Sequence, residues 1–314
     1  MIKRDKRPCN VKKIVCCGLR LAVLAPLGLF SACHAVVLEP SGEIAEHQRN
    51  LLLASTGLML LVVVPVIALT VLFAWRYRAS NRHATYQPDW DHSIYLELMI
   101  WAIPLLIIIC LGALTWVGTH LLDPYRPISR MGGGQDNDKP LVVDVVALDW
   151  KWLFIYPEYG VATVNDLAAP LDQPIEFHIT SSTVMNSFYV PALAGQIYAM
   201  PGMQTRLNAV INKPGDYAAF SANYSGAGFS GMHFVFHGLS PADFRHWLDE
   251  AHQHGGALDR DTYLRLAEPS QHEPIHRYNN VAPDLFDAIL RQCVRQGQPC
   301  RRMPGTMGGE DTQP

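Results

Sequence analysis

From Leu51 to Trp75 the chain carries no charged residue, and from Leu98 to Thr119 it does the same after a short polar connector. At about 1.5 Å of rise per residue, either run is long enough as a helix to cross a hydrocarbon core of roughly 30 Å. Backbone polar groups in lipid are satisfied only within a helix or a closed barrel, so a chain with two such runs is expected to form a membrane hairpin. Pro65 and Pro104 sit inside the runs, where they would break a soluble helix but are tolerated in a packed membrane one. Trp75 and Tyr77 on one span, with Trp90, Tyr95 and Trp116 on the other, read as interfacial aromatic belts. The predicted spans are residues 51–75 and 94–120, joined by a loop at 76–93.

Orientation follows from that loop. Arg76, Arg78 and Arg82 lie close to the membrane, which by the positive-inside rule makes the loop cytoplasmic and both termini external. The N-terminus agrees on independent residues. Lys3, Arg4, Lys6, Arg7, Lys12, Lys13 and Arg20 precede the apolar run Leu21 to Phe30 and then Ser31-Ala32-Cys33, the layout of a secretory signal. A Cys directly after small residues favours a bacterial lipoprotein signal over residues 1–32, with Cys33 acylated. A plain signal peptide or an uncleaved anchor is the alternative. Residues 33–50 would then be an external N-terminal segment.

A composition of 49% hydrophobic and 17% charged residues leaves room for one sizeable domain beside the membrane hairpin. The net charge of -3 gives no basis for nucleic-acid binding. Residues 121–140 turn to Pro, Gly, Asn and charge, with Gly132-Gly133-Gly134 in the middle, and read as a linker. Short stretches rich in β-branched and aromatic residues follow, at 141–154, 174–180, 205–211, 216–224 and 232–237, separated by turn signals such as Lys213-Pro214-Gly215-Asp216. That pattern predicts an antiparallel sandwich over 141–240. Within Asp149-Trp150-Lys151-Trp152-Leu153-Phe154, alternation puts Trp150, Trp152 and Phe154 on one face and the charges on the other.

Residues 241–295 read as a polar, helical extension with Phe244, Trp247, Tyr263, Tyr278 and Phe286 spaced through it, and 296–314 as a disordered tail. His246, His252, His254, His272 and His276 invite a metal hypothesis. Pro274 interrupts the last pair and the others lack partners at useful spacing, so they read as solvated surface. Cys293 and Cys300 flank a turn-like loop in a compartment that favours oxidation, where a disulfide is expected.

The stretch that speaks to function is Asn223-Tyr224-Ser225-Gly226-Ala227-Gly228-Phe229-Ser230-Gly231-Met232-His233-Phe234-Val235, taken with Val184-Met185-Asn186-Ser187-Phe188. Taken alone, a Gly-rich loop between apolar strands is a tight connection. Gly228 to Met232 is also a near miss to a hydrolase nucleophile elbow, with the second Gly one residue too early. Together with its flanks, the loop resembles the copper loop of subunit II of the haem-copper respiratory oxidases. There two Cys, a His and a Met join an upstream His to bind two copper ions. By that framework Tyr224, Gly228, Met232 and Val235 occupy the loop positions and Asn186 the upstream one. None is the expected ligand, and no Cys lies between Cys110 and Cys293 to supply a bridging thiolate.

The Ser-Gly-x-Gly-Phe-Ser-Gly-Met wording is similar to the quinol-oxidising branch, the cytochrome o type of ubiquinol oxidase, in which this copper site is absent. The resemblance implies two transmembrane α-helices followed by an all-β cupredoxin-like Greek-key sandwich and a short helical C-terminal extension. It implies a subunit with no cofactor of its own. Haem and copper would lie in a large partner, subunit I, which reduces oxygen to water with electrons from ubiquinol. Glu97, the one acid in the membrane region, reads from its position as a carboxylate stabilised at a helix start. The resemblance implies a place at the cytoplasmic mouth of a proton path. Two other readings are a copper-bearing cytochrome c oxidase subunit and a free-standing cupredoxin-like envelope lipoprotein.

Overall fold

The computed structural model describes residues 36–81, 83–85, 92–125, 139–295 and 297–301. The expected signal segment with Cys33, the positions of Arg82 and Trp90, most of the expected linker and the tail beyond Arg301 lie outside the described residues. The chain divides into two compact units, residues 1–39 and 40–314. Of the first, only a 3-10 turn at Val36–Leu38 is described.

The second unit opens with two long helices, α1 (Glu43–Arg76) and α2 (Ile94–Leu121). Their apolar windows are almost wholly unburied within the chain, so lipid or another polypeptide must cover them. Helix α1 starts eight residues before the predicted span. Glu43, Glu46, His47 and Arg49 ride on extra helical turns above the apolar run, with the Arg49 guanidinium 3.1 Å from Glu46 and also bonded to Asn50. At the other end Arg78 lies over the Trp75 ring at 5.7 Å, and Thr70, Thr115 and Thr119 return their hydroxyls to the carbonyls four residues back.

Twelve strands follow: β1 (Leu141–Leu148), β2 (Lys151–Tyr156), β3 (Val161–Val164), β4 (Asp166–Pro170), β5 (Ile175–Ser181), β6 (Asn186–Tyr189), β7 (Ile197–Ala199), β8 (Thr205–Ala209), β9 (Gly215–Ser221), β10 (His233–Leu239), β11 (Gly256–Leu258) and β12 (His276–Val281). They form a seven-stranded sheet, β11-β12-β3-β2-β1-β5-β8, facing a five-stranded one, β4-β10-β9-β6-β7. The sandwich is mixed and not purely antiparallel as expected, because β1 with β5, β4 with β10 and β11 with β12 run parallel. Between the sheets Trp152, Phe154, Phe177, Phe188, Phe234 and Phe236 are fully or nearly fully buried, with Phe188 stacked on Phe234 at 5.4 Å.

The extension is helical as expected, and it also adds strands. It contains α3 (Pro241–His254), α4 (Arg260–Leu266) and α5 (Leu285–Leu290), and it also contributes β11 and β12, which complete the large sheet through β3. Tyr263, Leu266, Leu285 and Ile289 pack on Val146, Leu148, Leu153 and Ile155, forming a second core on the outer face of that sheet. Strands β1 and β2 are therefore covered on both faces, which is why they read as near-continuous apolar runs. The extension ends at a disulfide between Cys293 and Cys300.

Two anchors fix this domain to the helices. Gly42, just before α1, bridges Ile211 and donates its N–H to the Ala192 carbonyl at 2.9 Å. After α2, the Pro124 carbonyl accepts from both the backbone and the side-chain amide of Asn208 at 3.1 and 3.0 Å.

Candidate functional site

The loop 223–232 joins β9 to β10 at one end of the sandwich, with β6 entering beside it. The five positions of the copper framework gather around it, but their side chains do not converge on one point. Tyr224 is 75% exposed, its ring at 5.6 Å from Phe229. Val235 lies on β10 with its side chain partly exposed. Met232 is buried in the inter-sheet core. Asn186 is buried and committed: its amide donates to the Val184 carbonyl at 3.1 Å, and its Oδ1 is 3.3 Å from the Ser221 hydroxyl. Asn223 closes the far side by donating to the Met185 carbonyl at 3.1 Å.

Gly228 decides the question of fit. A Cβ built there would lie 2.4 Å from Cδ2 of Trp150, so the indole already fills the volume that a side chain would need. Trp150 was expected on the core face of a continuous strand. It does pack against the core that holds Trp152 and Phe154, but from the turn between β1 and β2 at φ 68°, an uncommon backbone conformation for a bulky residue. From there its ring lies over Gly226 and Gly228, and its Nε1–H donates to the Ser225 carbonyl at 3.2 Å. An amide, a phenol, a glycine, one thioether and a valine supply neither the thiolates nor the imidazoles of a dinuclear copper centre. The residues present do not fit that group.

Gly228→Ala is expected to push the indole out of the loop at a cost of about 1–3 kcal/mol. Tryptophan emission should shift to the red as Trp150 becomes wetted, and an unchanged spectrum would show that the loop yields instead.

Lys151, the next residue, points the other way and is buried, where sequence alternation had only placed a charge opposite the aromatics. Its Nζ donates to the Glu268 carbonyl at 2.9 Å and to the Ser270 hydroxyl, with Glu273 at 3.6 Å. Burial lowers its pKa from the usual lysine value. This pins the segment after α4, whose His272 ring lies against Gly231 of the loop. Among the described residues no group of three or more His, Cys, Asp or Glu could hold a metal ion.

Residues 158–239 match the family model described as the periplasmic domain of cytochrome c oxidase subunit II, and residues 252–297 match the COX aromatic-rich motif. The chain is 50% identical over 281 residues to cytochrome bo(3) ubiquinol oxidase subunit 2 of Pseudomonas putida, covering 88% of this chain and 87% of that one. It belongs to the ubiquinol oxidase subunit 2 family. The ubiquinol oxidase subunit 2 of Acetobacter aceti is 48% identical over 271 residues, covering 86% and 87%. Quinol oxidase subunit 2 of Bacillus subtilis is 34% identical over 283 residues, covering 89% and 84%. In this quinol oxidase subunit the β-domain is cupredoxin-like, and the extension that closes its sheet is the aromatic-rich motif.

On the membrane side of the oxidase subunit, Glu97 sits in the first turn of α2, where its carboxylate shares a hydrogen bond of 2.8 Å with His92 Nδ1. Both side chains are more than half exposed. Sequence reasoning passed over His92, although it stands in the same polar run before the helix.

A second polar cluster was not foreseen either. Asp166, at the start of β4 and almost completely buried, accepts from three elements. The donors are His237 Nε2 on β10 at 2.9 Å, Trp247 Nε1 on α3 at 3.3 Å and Arg277 on β12 at 3.4 Å. Behind them His237 Nδ1 meets Asp216 at 2.6 Å and Arg277 meets Glu250 at 3.0 Å. The hydrogen bond to Asp166 raises the pKa of His237 above that of a free imidazole.

Proposed function

We propose that this chain is a structural, non-catalytic subunit of a proton-pumping ubiquinol oxidase in the bacterial inner membrane. It packs its two helices on a large catalytic subunit I that holds the haems and copper, and caps that subunit's outer face with the β-domain on the periplasmic side. The observation that carries the reading is the indole of Trp150 standing where a ligand at Gly228 would need room. An oxidase fed by a soluble cytochrome needs a metal way-station at its outer face, and this loop has no donors to build one. Electrons therefore come from a membrane-soluble quinol that passes them directly to the haems of the partner, where oxygen is reduced to water.

The unburied faces of α1 and α2 supply the surface for that packing. Acylation of Cys33 adds a lipid anchor to the chain. Purification of the chain in mild detergent is expected to bring a haem protein with it. A haem-free preparation from respiring cells would favour a free-standing envelope lipoprotein.

Glu97 is assigned to proton entry at the cytoplasmic face. A carboxylate at the start of a membrane helix, hydrogen-bonded to an imidazole that water can reach, can pass protons inward. In the assembled oxidase Glu97→Gln should slow quinol-driven oxygen uptake several-fold while leaving the haem spectrum and subunit content unchanged. Full turnover in that variant would reduce Glu97 to a carboxylate that steadies the helix start.

A further inference from the structure

Near the β-domain the two membrane helices part, leaving a cleft of about 210 Å³. Its floor is apolar, formed by Leu51 of α1 and by Leu114, Val117 and Leu121 of α2, and its rim is formed by His47 and Asn50. Within it Leu51 packs on Gly118 of α2, where a Cβ position would lie only 3.2 Å from the leucine side chain.

We propose that this cleft binds one phospholipid of the leaflet next to the β-domain, with an acyl chain on the apolar floor and the headgroup phosphate at His47 and Asn50. The depth fixes the first half of the assignment. The floor belongs to the charge-free parts of both helices, which sit in hydrocarbon, and a sideways-open apolar cleft at that level is filled by chains and not by water. The rim fixes the second half. Asn50 uses its Oδ1 to accept from Arg49, and among the described residues neither its Nδ2 nor either ring nitrogen of His47 has a hydrogen-bond partner. These N–H donors, beside the Arg49 guanidinium, stand at the outer edge of the apolar floor, Asn50 next to Leu51 and His47 one helical turn further out, where phosphates lie. An anionic acceptor on an apolar stem is what such a rim and floor complement together.

The test replaces Val117 with a photo-crosslinking benzoylphenylalanine in the whole oxidase, illuminated in native membranes. The expected result is an adduct with the mass of a phospholipid on this chain. An adduct with a polypeptide of the partner subunit, an adduct with a quinone, or no lipid adduct at all would overturn the proposal. A second measurement guards against a perturbed helix. His47→Ala with Asn50→Ala should lower the tightly retained phospholipid by about one molecule per oxidase relative to the parent, with haem content unchanged, and equal retention would also overturn it. Neither readout depends on the quinol reading of the complex, so failure here leaves that reading standing.

Discussion

Asp166→Ala is expected to destabilise the β-domain by roughly 3 kcal/mol, because it removes the one acceptor that ties His237, Trp247 and Arg277 together, leaving the indole N–H unpaired and the imidazole and guanidinium only their outer partners Asp216 and Glu250. Asp166 is nearly inaccessible and its donors come from β10, α3 and β12, so the loss falls on the joint between sandwich and extension. For a domain of this size the melting temperature should drop by roughly 6–12 °C, read by circular dichroism of the detergent-solubilised chain. Hydrogen exchange should accelerate first in α3 and β12, and a loss spread evenly over both sheets would contradict the assignment.

The same cluster predicts a pH dependence. His237 has a folded pKa raised above its unfolded value, chiefly by the hydrogen bond to Asp166. The stability it contributes is fully present below the unfolded imidazole value of about 6.5 and is lost as pH rises through the folded value. His178, raised chiefly by its hydrogen bond to Asp144, acts with the same sign. His237→Gln should therefore flatten only part of the decline on the alkaline side. An unaltered profile would show that Asp166 does not hold the proton on His237.

Trp152→Ala is the second large effect. The side chain is fully buried and packs on Phe188 and Phe234 at 5.5 and 5.8 Å, directly beneath the strands that carry the loop 223–232. Removing a buried indole costs about 3–5 kcal/mol, and the loop should loosen with it. Trp152→Phe should cost much less, and less than is usual for a buried tryptophan, because Nε1 of Trp152 has no hydrogen-bond partner among the described residues to lose. A phenylalanine variant as unstable as the alanine one would show that the indole nitrogen is satisfied after all.

These residues also show where sequence reading reached its limit. The membrane spans were legible because charge is absent from them, yet the start of α1 was not, since Glu43 to Asn50 are helical while standing in a polar environment. Trp152 and Phe154 were legible from alternation. For Trp150 the face was legible but the turn was not, because nothing local marks a non-glycine residue for a left-handed conformation, and the space above Gly226 and Gly228 explains its position. Strand β11 has only three residues and β12 is polar, and they exist by pairing with β3 and with each other, so no periodicity announces them. Asp166 meets partners 71 to 111 residues away, a separation that no spacing rule reaches. The Gly-rich loop was legible as a connection between β9 and β10, whereas the indole that packs on it was not.

The most direct measurement is oxygen uptake by the purified oxidase, with its metals assayed in the same preparation and with ubiquinol or reduced cytochrome c as the donor. Uptake is expected with ubiquinol alone, with every copper accounted for in the haem-bearing partner. Uptake driven by cytochrome c through copper bound to the loop around Gly228 would contradict it.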